Sequence, residues 1–205
     1  MLKDTGERII PEYMKVTDEM LIEHVARYFF AVDYVYGRVL DIASGAGYGT
    51  HILTKKGKGT VDEVVGIDFD PETVKYAKGA YHHPHSMFME GDITDPALPE
   101  KLGQFDCIVS FETIEHVAEE EQFLKNIYKL LKSSGTLILS TPFGKGRGKP
   151  SGSPFHVHQL TTVEFMDLFP DYSSAAFYFQ KGPLIEPANR DGDRHFPLGI
   201  AICQK

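Results

Sequence analysis

One stretch decides how this chain folds: Val39-Leu40-Asp41-Ile42-Ala43-Ser44-Gly45-Ala46-Gly47-Tyr48-Gly49-Thr50. Its first part is a short apolar run with an acid, which predicts a buried parallel strand. Its glycines predict a tight turn, and His51-Ile52-Leu53 resumes a helical spacing. A strand, a glycine turn and a helix in this order are typical of the nucleotide-binding crossover of α/β proteins.

The glycine spacing indicates which ligand this turn binds. A dinucleotide-binding loop needs Gly-x-Gly-x-x-Gly and holds a pyrophosphate on free backbone N–H groups. This chain has Gly45-x-Gly47-x-Gly49, and Asp41 precedes the turn. A carboxylate there would repel a pyrophosphate and attract a cationic ligand. We therefore expect S-adenosylmethionine, which carries a sulfonium, an ammonium and no phosphate.

The same residues resemble the first motif of the class I S-adenosylmethionine-dependent methyltransferases, which usually reads Asp/Glu-x-Gly-x-Gly-x-Gly. Ala43 departs from that motif, and its methyl group slightly hinders close approach of a ligand. By this resemblance, the residues of the stretch that contact the cofactor are Asp41, Ala43, Ser44, Gly45 and Gly47.

Two later acids match further cofactor positions of that family. Asp68 ends a second apolar strand, where the resemblance implies hydrogen bonds to the ribose, and Phe69 would contact the adenine. Asp92 and Ile93 follow a third strand and match the residues that bind the adenine edge. The alternatives are a helix-capping acid at Asp68 and an ordinary Gly-Asp turn at Asp92.

A fourth strand, 105–111, runs into a segment that resembles the "FDxIxxxxxxEH" block of the small-molecule methyltransferase branch. The resemblance places Phe111 and Glu112 near the methionine end of the donor. His116 is a candidate for orienting the methyl acceptor or taking its proton, because histidine titrates near neutral pH. The alternative is that Glu115 and His116 only fix the loop through hydrogen bonds to backbone.

Residues 143–160 are rich in glycine and proline and carry three basic residues, which predicts a mobile loop on the acceptor side. A basic loop would suit an anionic acceptor such as a sugar nucleotide or an acidic glycan, unless its charges are only solvated. His156 and His158 are acceptor-site candidates rather than metal ligands. The histidines 82, 83 and 85 flank a proline in a loop, so no metal site is expected there either.

The N-terminal part, 1–36, is predicted to be a leader and a helix that lie over the cofactor site. Its Gly-Glu-Arg-x-x-Pro and Glu23-His24-x-x-Arg27-Tyr28 patterns resemble those of stand-alone bacterial methyltransferases of glycan pathways. In such proteins Arg27 would meet the methionine carboxylate of the cofactor. An ordinary surface arginine is the alternative.

Composition limits the class of protein. The chain has 205 residues, 42% hydrophobic and 24% charged, which predicts one globular domain over 1–205. Its net charge of −8 argues against bulk electrostatic binding of nucleic acid. No apolar run reaches the length of a membrane span. Cys107 and Cys203 lie in apolar runs and predict reduced thiols, so the cytoplasm is the expected location.

The alternation of short strands and helices predicts an α/β, doubly wound, Rossmann-like sheet. By resemblance it has seven strands in the order 3-2-1-4-5-7-6, with the last strand antiparallel and helices on both faces. The polar stretch 186–195 is expected to be a long loop near the acceptor or a homodimer contact.

Together these features predict methyl transfer from S-adenosylmethionine to a small-molecule or glycan-type acceptor, leaving S-adenosylhomocysteine. The candidates for taking the acceptor's proton are His116, His156 and Glu112. A catalytically silent cofactor-binding subunit and a nicotinamide-dependent dehydrogenase are the alternatives. The acceptor, and whether oxygen, nitrogen or carbon is methylated, stay open.

Overall fold

The computed structural model describes residue 2, residues 6–188 and residues 196–205. Five parallel strands form the first part of its sheet: β1 Gly37–Ile42, β2 Val61–Asp68, β3 Ser86–Glu90, β4 Phe105–Phe111 and β5 Leu131–Pro142. They lie in the order β3-β2-β1-β4-β5, so β1 is central and the strand order reverses beside it. In such sheets, ligands bind beyond the carboxyl ends of the strands at that point.

The C-terminal strands complete the sheet in antiparallel orientation. They are β6 Ser174–Lys181, β7 Leu184–Pro187 and β8 Leu198–Gln204. The last of these, β8, inserts between β5 and β6, and β7 pairs with the outer edge of β6. The expected doubly wound sheet with an antiparallel last strand is confirmed.

The strand count is corrected from seven to eight within the described residues, in the order 3-2-1-4-5-8-6-7. The additional strand, β7, was missed because it is four residues long and ends in a proline, which edge strands tolerate. It takes up the first two residues of the stretch 186–195 that was expected to be a loop. Of the rest of that stretch, only Ala188 lies inside the described residues, and 189–195 lie outside them.

Six α-helices accompany the strands in the described part of the chain. They are α1 Glu19–Val32, α2 Tyr48–Lys56, α3 Pro71–Ala80, α4 Leu98–Leu102, α5 Glu120–Leu130 and α6 Thr162–Met166. Two short 3₁₀ turns, Pro11–Tyr13 and Ile114–His116, lie before α1 and after β4. None of the described helices is long and apolar enough to cross a membrane.

Neighbouring residues of the central strands pack into two separate apolar clusters. Val39 belongs to the cluster that contains side chains of α1 and α2, whereas Leu40 belongs to the one that contains side chains of α4, α5 and α6. Successive side chains of a strand point to opposite faces, so these clusters lie on opposite sides of the sheet. This is the expected arrangement of helices on both faces.

Two glycines of the turn are required by packing. Gly47 has φ 95°, and a Cβ there would lie 2.8 Å from the Cβ of Ala77 on α3. A Cβ at Gly49, in the first turn of α2, would lie 1.9 Å from Cζ of Tyr28 on α1. The third glycine therefore serves the close approach of two helices.

Candidate functional site

A cavity of about 380 Å³ opens beyond the carboxyl ends of the parallel strands. Seven of its lining residues were predicted from sequence: Ala43, Asp68, Phe69, Asp92, Ile93, Glu112 and His116. A larger depression, about 610 Å³, lies between the leader and α3 and contains none of the predicted residues. The smaller cavity is therefore the candidate site, because it coincides with the switch in strand order.

Asp68 sits at the end of β2 and fixes the glycine turn. One carboxylate oxygen, Oδ2, accepts a hydrogen bond from the N–H of Gly45 at 3.0 Å, and Oδ1 accepts from the N–H of Asp70 at 3.0 Å. Burial raises the pKa of Asp68, and these two backbone donors oppose the rise. Each oxygen retains a second lone pair for a ligand hydroxyl.

The predicted adenine-binding residues lie along the same cavity. Phe69 is 75% exposed and lines the cavity, where a ligand can cover its ring. Asp92 is exposed, and its Oδ1 accepts from the N–H and the hydroxyl of Thr94. Ile93 is buried beside them. The Gly-Asp turn considered from sequence is therefore present, and it leaves Asp92 on the cavity wall.

The backbone at two positions on the cavity wall is in the left-handed region. Ala43, just after β1, has φ 53°, and Glu112, just after β4, has φ 47°. Non-glycine residues adopt such angles at a cost, and they concentrate at functional sites. This explains why glycine is usual at the position of Ala43 in the motif that the chain resembles.

Asp41 does not line the cavity. Its side chain is fully buried, where Oδ1 accepts from the Tyr28 hydroxyl at 3.1 Å and Oδ2 from the Thr50 hydroxyl at 2.6 Å. Burial raises the pKa of Asp41 to about 7, although both hydrogen bonds act in the opposite direction. Asp41 therefore anchors α1 and α2 beneath the glycine turn rather than facing a ligand.

Other predicted contacts also lie behind the cavity wall. Ser44 is buried, and its N–H donates to the carbonyl of Ile67. Gly47 donates to the carbonyl of Ser44, which closes the turn. Phe111 is buried against Tyr28, with ring centroids 5.0 Å apart. These residues shape the cavity without lining it.

Arg27 is neither a surface residue nor part of the cavity lining. Its guanidinium is fully buried, donates to Oε1 of Gln180 at 2.9 Å and forms an ion pair with Glu112. Burial alone would raise the pKa of Glu112, but Arg27 and the neighbouring histidines hold it below its ordinary value. Glu112 is therefore ionised at neutral pH, and Arg27 is its ion-pair partner.

The charged side chains on the cavity wall are mostly acidic, and Arg27 pairs with one of them, Glu112, from behind the wall. Four carboxylates line it, from Asp68, Asp92, Glu112 and Glu119, and no lysine or arginine among the described residues does so. Like charges in a shared cleft raise the local concentration of ligands of opposite sign. The cavity is thus suited to a cation and unsuited to a pyrophosphate.

Two predicted acceptor-side histidines meet at the rim. The ring centroids of His116 and His156 are 4.9 Å apart, and the rings are nearly perpendicular. Nδ1 of His116 lies 3.1 Å from the carbonyl oxygen of Phe155. Nε2 of His156 lies 3.7 Å from Oε1 of Glu7 in the leader. Burial and the nearby His116 lower the pKa of His156.

His158 lies apart from this pair. It is buried, and its Nε2 is 3.1 Å from Oε2 of Glu120 at the start of α5. Glu115 is also buried; its carboxylate accepts from Thr141, and its carbonyl accepts from the N–H of Val157. The loop-fixing hydrogen bonds considered from sequence are therefore present for both Glu115 and His116.

The basic segment 143–160 is held by hydrogen bonds within itself and by ion pairs to neighbouring elements. Gly144 and Gly146 donate to the carbonyls of residues 160 and 159. The Arg147 guanidinium pairs with Glu120 at 2.5 Å and lies 3.9 Å from Glu164. Of the three basic residues there, Arg147 is thus committed to acids, whereas Lys145 and Lys149 are exposed. The mobility of this segment stays a prediction.

Sequence reasoning missed Glu7 as a site residue. The Gly-Glu-Arg-x-x-Pro pattern of the leader contains it, but nothing in the pattern indicates which segment the acid meets. Its carboxylate accepts from the Ser153 hydroxyl at 2.7 Å, which ties the leader to the segment 143–160. Glu119, on the cavity wall, was not predicted as a site residue either.

Comparison with known proteins agrees with this arrangement. A family described as "Methyltransferase domain" matches residues 40–139. A probable S-adenosylmethionine-dependent methyltransferase of Mycolicibacterium smegmatis is 29% identical over 173 residues, which cover 80% of this chain and 62% of that protein. The chain thus spans less than two thirds of that relative's length.

Two further matches cover less of the chain or have a lower sequence identity. A ubiquinone biosynthesis O-methyltransferase of Xanthomonas oryzae is 31% identical over 112 residues, or 54% of this chain and 45% of that protein. The crystal structure of an S-adenosylmethionine-dependent methyltransferase from Archaeoglobus fulgidus superposes with a TM-score of 0.67 at 15% identity, covering 92% of this chain and 95% of that one. The latter likeness supports the fold.

Proposed function

We propose that this chain is a class I S-adenosylmethionine-dependent methyltransferase and that it transfers a methyl group from S-adenosylmethionine to a small-molecule or saccharide acceptor. One observation carries the assignment of the site. The cavity at the switch in strand order is lined by four carboxylates and, among the described residues, by no lysine or arginine. A sulfonium cofactor fits that charge, whereas a nicotinamide dinucleotide would bring its pyrophosphate against these acids.

Within this cavity we assign the adenosyl part of the cofactor to the ends of β2 and β3. Asp68 accepts from the ribose hydroxyls with the lone pairs that its two backbone donors leave free. Phe69 covers one face of the adenine, and Asp92 and the Ile93 backbone meet its edge. The exposed ring of Phe69 supports this placement.

Glu112 stabilises the positive charge of the donor rather than taking a proton. It is ion-paired with Arg27 and its pKa is lowered, so it is a poor proton acceptor at neutral pH. It nevertheless lines the cavity and contributes negative charge there. This assignment takes Glu112 out of the three candidates for the base and leaves the two histidines.

The acceptor's reactive group lies at the rim beside His116 and His156. The nucleophile attacks the methyl carbon, the methyl–sulfur bond breaks, and sulfur keeps the electron pair, giving S-adenosylhomocysteine. Much of the rate comes from positioning, because the sulfonium is already an activated leaving group. The imidazoles orient the acceptor and receive its proton, since burial keeps His156 neutral at working pH.

We favour a hydroxyl compound as the acceptor class. Arg147 is paired with Glu120 and Glu164, which removes one of the three charges that suggested an anionic acceptor. The partial likeness to an O-methyltransferase supports oxygen as the methylated atom. A sugar hydroxyl and a phenol both satisfy this description.

Thermal unfolding with S-adenosylhomocysteine, S-adenosylmethionine or NADH tests the cofactor. At about a hundred times its Kd, a ligand stabilises the native state by roughly 2.7 kcal/mol, which raises the Tm by several degrees. We expect a rise with the adenosyl compounds alone. A rise in Tm with NADH alone would favour a nicotinamide-dependent dehydrogenase instead.

Methyl transfer separates an enzyme from a silent cofactor-binding subunit. Incubation with S-adenosylmethionine labelled in its methyl group, against a panel of saccharides and phenols, should give a labelled product and S-adenosylhomocysteine. Binding without label transfer to any acceptor would favour the silent subunit. The cytoplasmic location and a homodimer stay predictions; the buried, free Cys107 and Cys203 are compatible with a reducing compartment.

A further inference from the structure

Three side chains from distant parts of the chain converge at the acceptor rim. Glu7 comes from the leader, His116 from the turn after β4, and His156 from the segment between β5 and α6. One ligand atom of each lies within 4.8 Å of the other two. A carboxylate and two imidazoles are a common donor set for divalent transition metals.

The ring of His116 is oriented as metal-ligating histidines usually are. When its Nδ1 carries the proton, that N–H donates to the carbonyl oxygen of Phe155, 3.1 Å away. The hydrogen bond fixes this tautomer and leaves the lone pair of Nε2 for a ligand. Glu7 is held in a comparable way, because its Oε1 accepts from the Ser153 hydroxyl at 2.7 Å.

An ion pair alone accounts for only part of this cluster. Glu7 and one imidazole would satisfy each other, and the contact between Glu7 and His156 is 3.7 Å. His116 would take no part in that ion pair, so the pair does not explain why a second imidazole lies there. Nδ1 of His156 is buried and has no hydrogen-bond partner among the described residues, so that ring is not committed to a structural bond either.

We propose that Glu7, His116 and His156 bind a divalent transition-metal cation that presents an open position to a hydroxyl of the acceptor. This inference rests on the proposed function and concerns the same rim. Sequence reasoning expected no metal, because it considered the histidines of each segment separately. Binding requires the ligand atoms to close to roughly 3–3.5 Å from one another, as bonds of about 2.0–2.2 Å to one cation imply.

The cation changes how the proton leaves. A hydroxyl bound to a divalent cation loses its proton more readily than a free one. The resulting alkoxide or phenoxide forms a bond to the methyl carbon, the methyl–sulfur bond breaks with its electron pair on sulfur, and the proton goes to solvent. With the cation bound, the two histidines act as ligands instead of taking the proton themselves.

Calorimetric titration of chelator-treated protein with Zn²⁺, Co²⁺ and Mg²⁺ tests the site. We expect one Zn²⁺ or Co²⁺ per chain and much weaker binding of Mg²⁺, because imidazole ligands favour transition metals. Glu7→Gln and His156→Ala should each weaken binding at least tenfold. Co²⁺ should also give a visible absorption band that both variants lose.

His85→Ala is the matched control. His83 and His85 form another close pair, with ring centroids 5.8 Å apart, in an exposed loop away from the cavity. The variant should bind Zn²⁺ as the parent protein does. Glu7→Gln preserves shape and carries the test if His156→Ala unfolds, which thermal unfolding will reveal.

Three results would overturn the inference: no Zn²⁺ or Co²⁺ binding, equal binding by Glu7→Gln and the parent protein, or loss of binding in His85→Ala. Methyl transfer that is unchanged by the chelator would overturn the role of the cation toward the acceptor. Loss of S-adenosylhomocysteine binding in a protein that still binds Zn²⁺ would instead contradict the proposed function and leave the metal site standing.

Discussion

The two halves of the candidate site are built differently. The half that we assign to the cofactor, the cofactor half, lies at the ends of β1, β2 and β3, where residues 43–93 supply the side chains. The half that we assign to the acceptor, the acceptor half, takes Glu7, His116 and His156 from three segments that only the folded chain brings together. The sheet positions the residues of the cofactor half, whereas side-chain contacts between loops position those of the acceptor half. A change in one half should therefore leave the other largely intact, except where a residue belongs to both.

Arg27→Met should have the largest effect, because the fully buried guanidinium of Arg27 pairs with Glu112 on the cavity wall. It would leave the side-chain oxygen of Gln180 without its buried donor, and Glu112 would keep His24, 3.6 Å away, in place of the guanidinium. We expect the free energy of unfolding to fall by about 3 kcal/mol, the low end of the range for breaking a buried ion pair, since Glu112 is partly open to water. Urea unfolding of the variant and the parent protein measures this difference in the free energy of unfolding.

The control for that variant is an exposed ion pair. Lys75 and Glu72 lie 3.9 Å apart, and both side chains are more than 70% exposed. Lys75→Met should change the free energy of unfolding by less than about 1 kcal/mol. If Arg27→Met proved equally mild, the buried pair of Arg27 with Glu112 would contribute no more to stability than an exposed pair.

Asp41→Asn should show how much stability the protein loses by burying a carboxyl group beneath the cofactor half. Burial raises the pKa of Asp41 to about 7 in the folded protein, from an ordinary value of 3.8. The folded state then holds a proton that the unfolded state has lost, so this group costs stability as the pH rises between those values. Without cofactor, the free energy of unfolding of the variant minus that of the parent protein should increase by about 2–3 kcal/mol from pH 5 to pH 8.

Parallel stability profiles for the two proteins over that pH range would contradict the expectation. They would mean that Asp41 titrates alike in the folded and unfolded states. Urea unfolding at several pH values, with circular dichroism as the probe, is sufficient.

Asp68→Ala should weaken the binding of S-adenosylhomocysteine by roughly tenfold or more, through the loss of charged hydrogen bonds to the ribose. Calorimetric titration gives the affinity. Asp95→Ala removes the same charge outside the cavity, where Asp95 is bonded to Lys101, and should leave the affinity within about twofold. Equal affinities for the two variants would refute the ribose assignment.

The smallest effect should come from His156→Ala on cofactor affinity. The side chain belongs to the acceptor half and does not line the cavity. We expect the Kd of S-adenosylhomocysteine to stay within about twofold, as measured by the same titration. A tenfold loss would mean that the two halves are coupled and that their separation is wrong.

The sequence was informative where neighbours in the chain are neighbours in space. The strand, the glycine turn and the acids at Asp68 and Asp92 follow one another along the chain, so their order predicted a shared location, and both acids do line one cavity. Glu7 could not be predicted as a partner of His156, because the leader meets the segment 143–160 only through tertiary contacts. The pairing of Arg27 with Glu112 was missed for the same reason: α1 and the end of β4 are distant in sequence.

Two local patterns did not reveal their tertiary contacts. Asp41 matches a cofactor motif, and its carboxylate accepts hydrogen bonds from the hydroxyls of Tyr28 and Thr50 beneath the turn. The short strand β7 carries no alternation of its own and depends on the edge of β6 for its hydrogen bonds. In both places tertiary surroundings decide what a local pattern leaves open.

The contact between Gly49 and Tyr28 has a consequence for how related sequences can diverge. A Cβ at position 49 would fall 1.9 Å from the tyrosine ring, so no side chain at 49 is compatible with an aromatic ring at 28. The two positions should therefore covary across relatives: an alanine or serine at 49 should accompany a small residue at 28. That substitution would also remove the hydroxyl that donates to Asp41, so the acid should change with them. An alignment should thus reveal a three-way dependence among 28, 41 and 49 that reflects helix packing rather than selection for the cofactor.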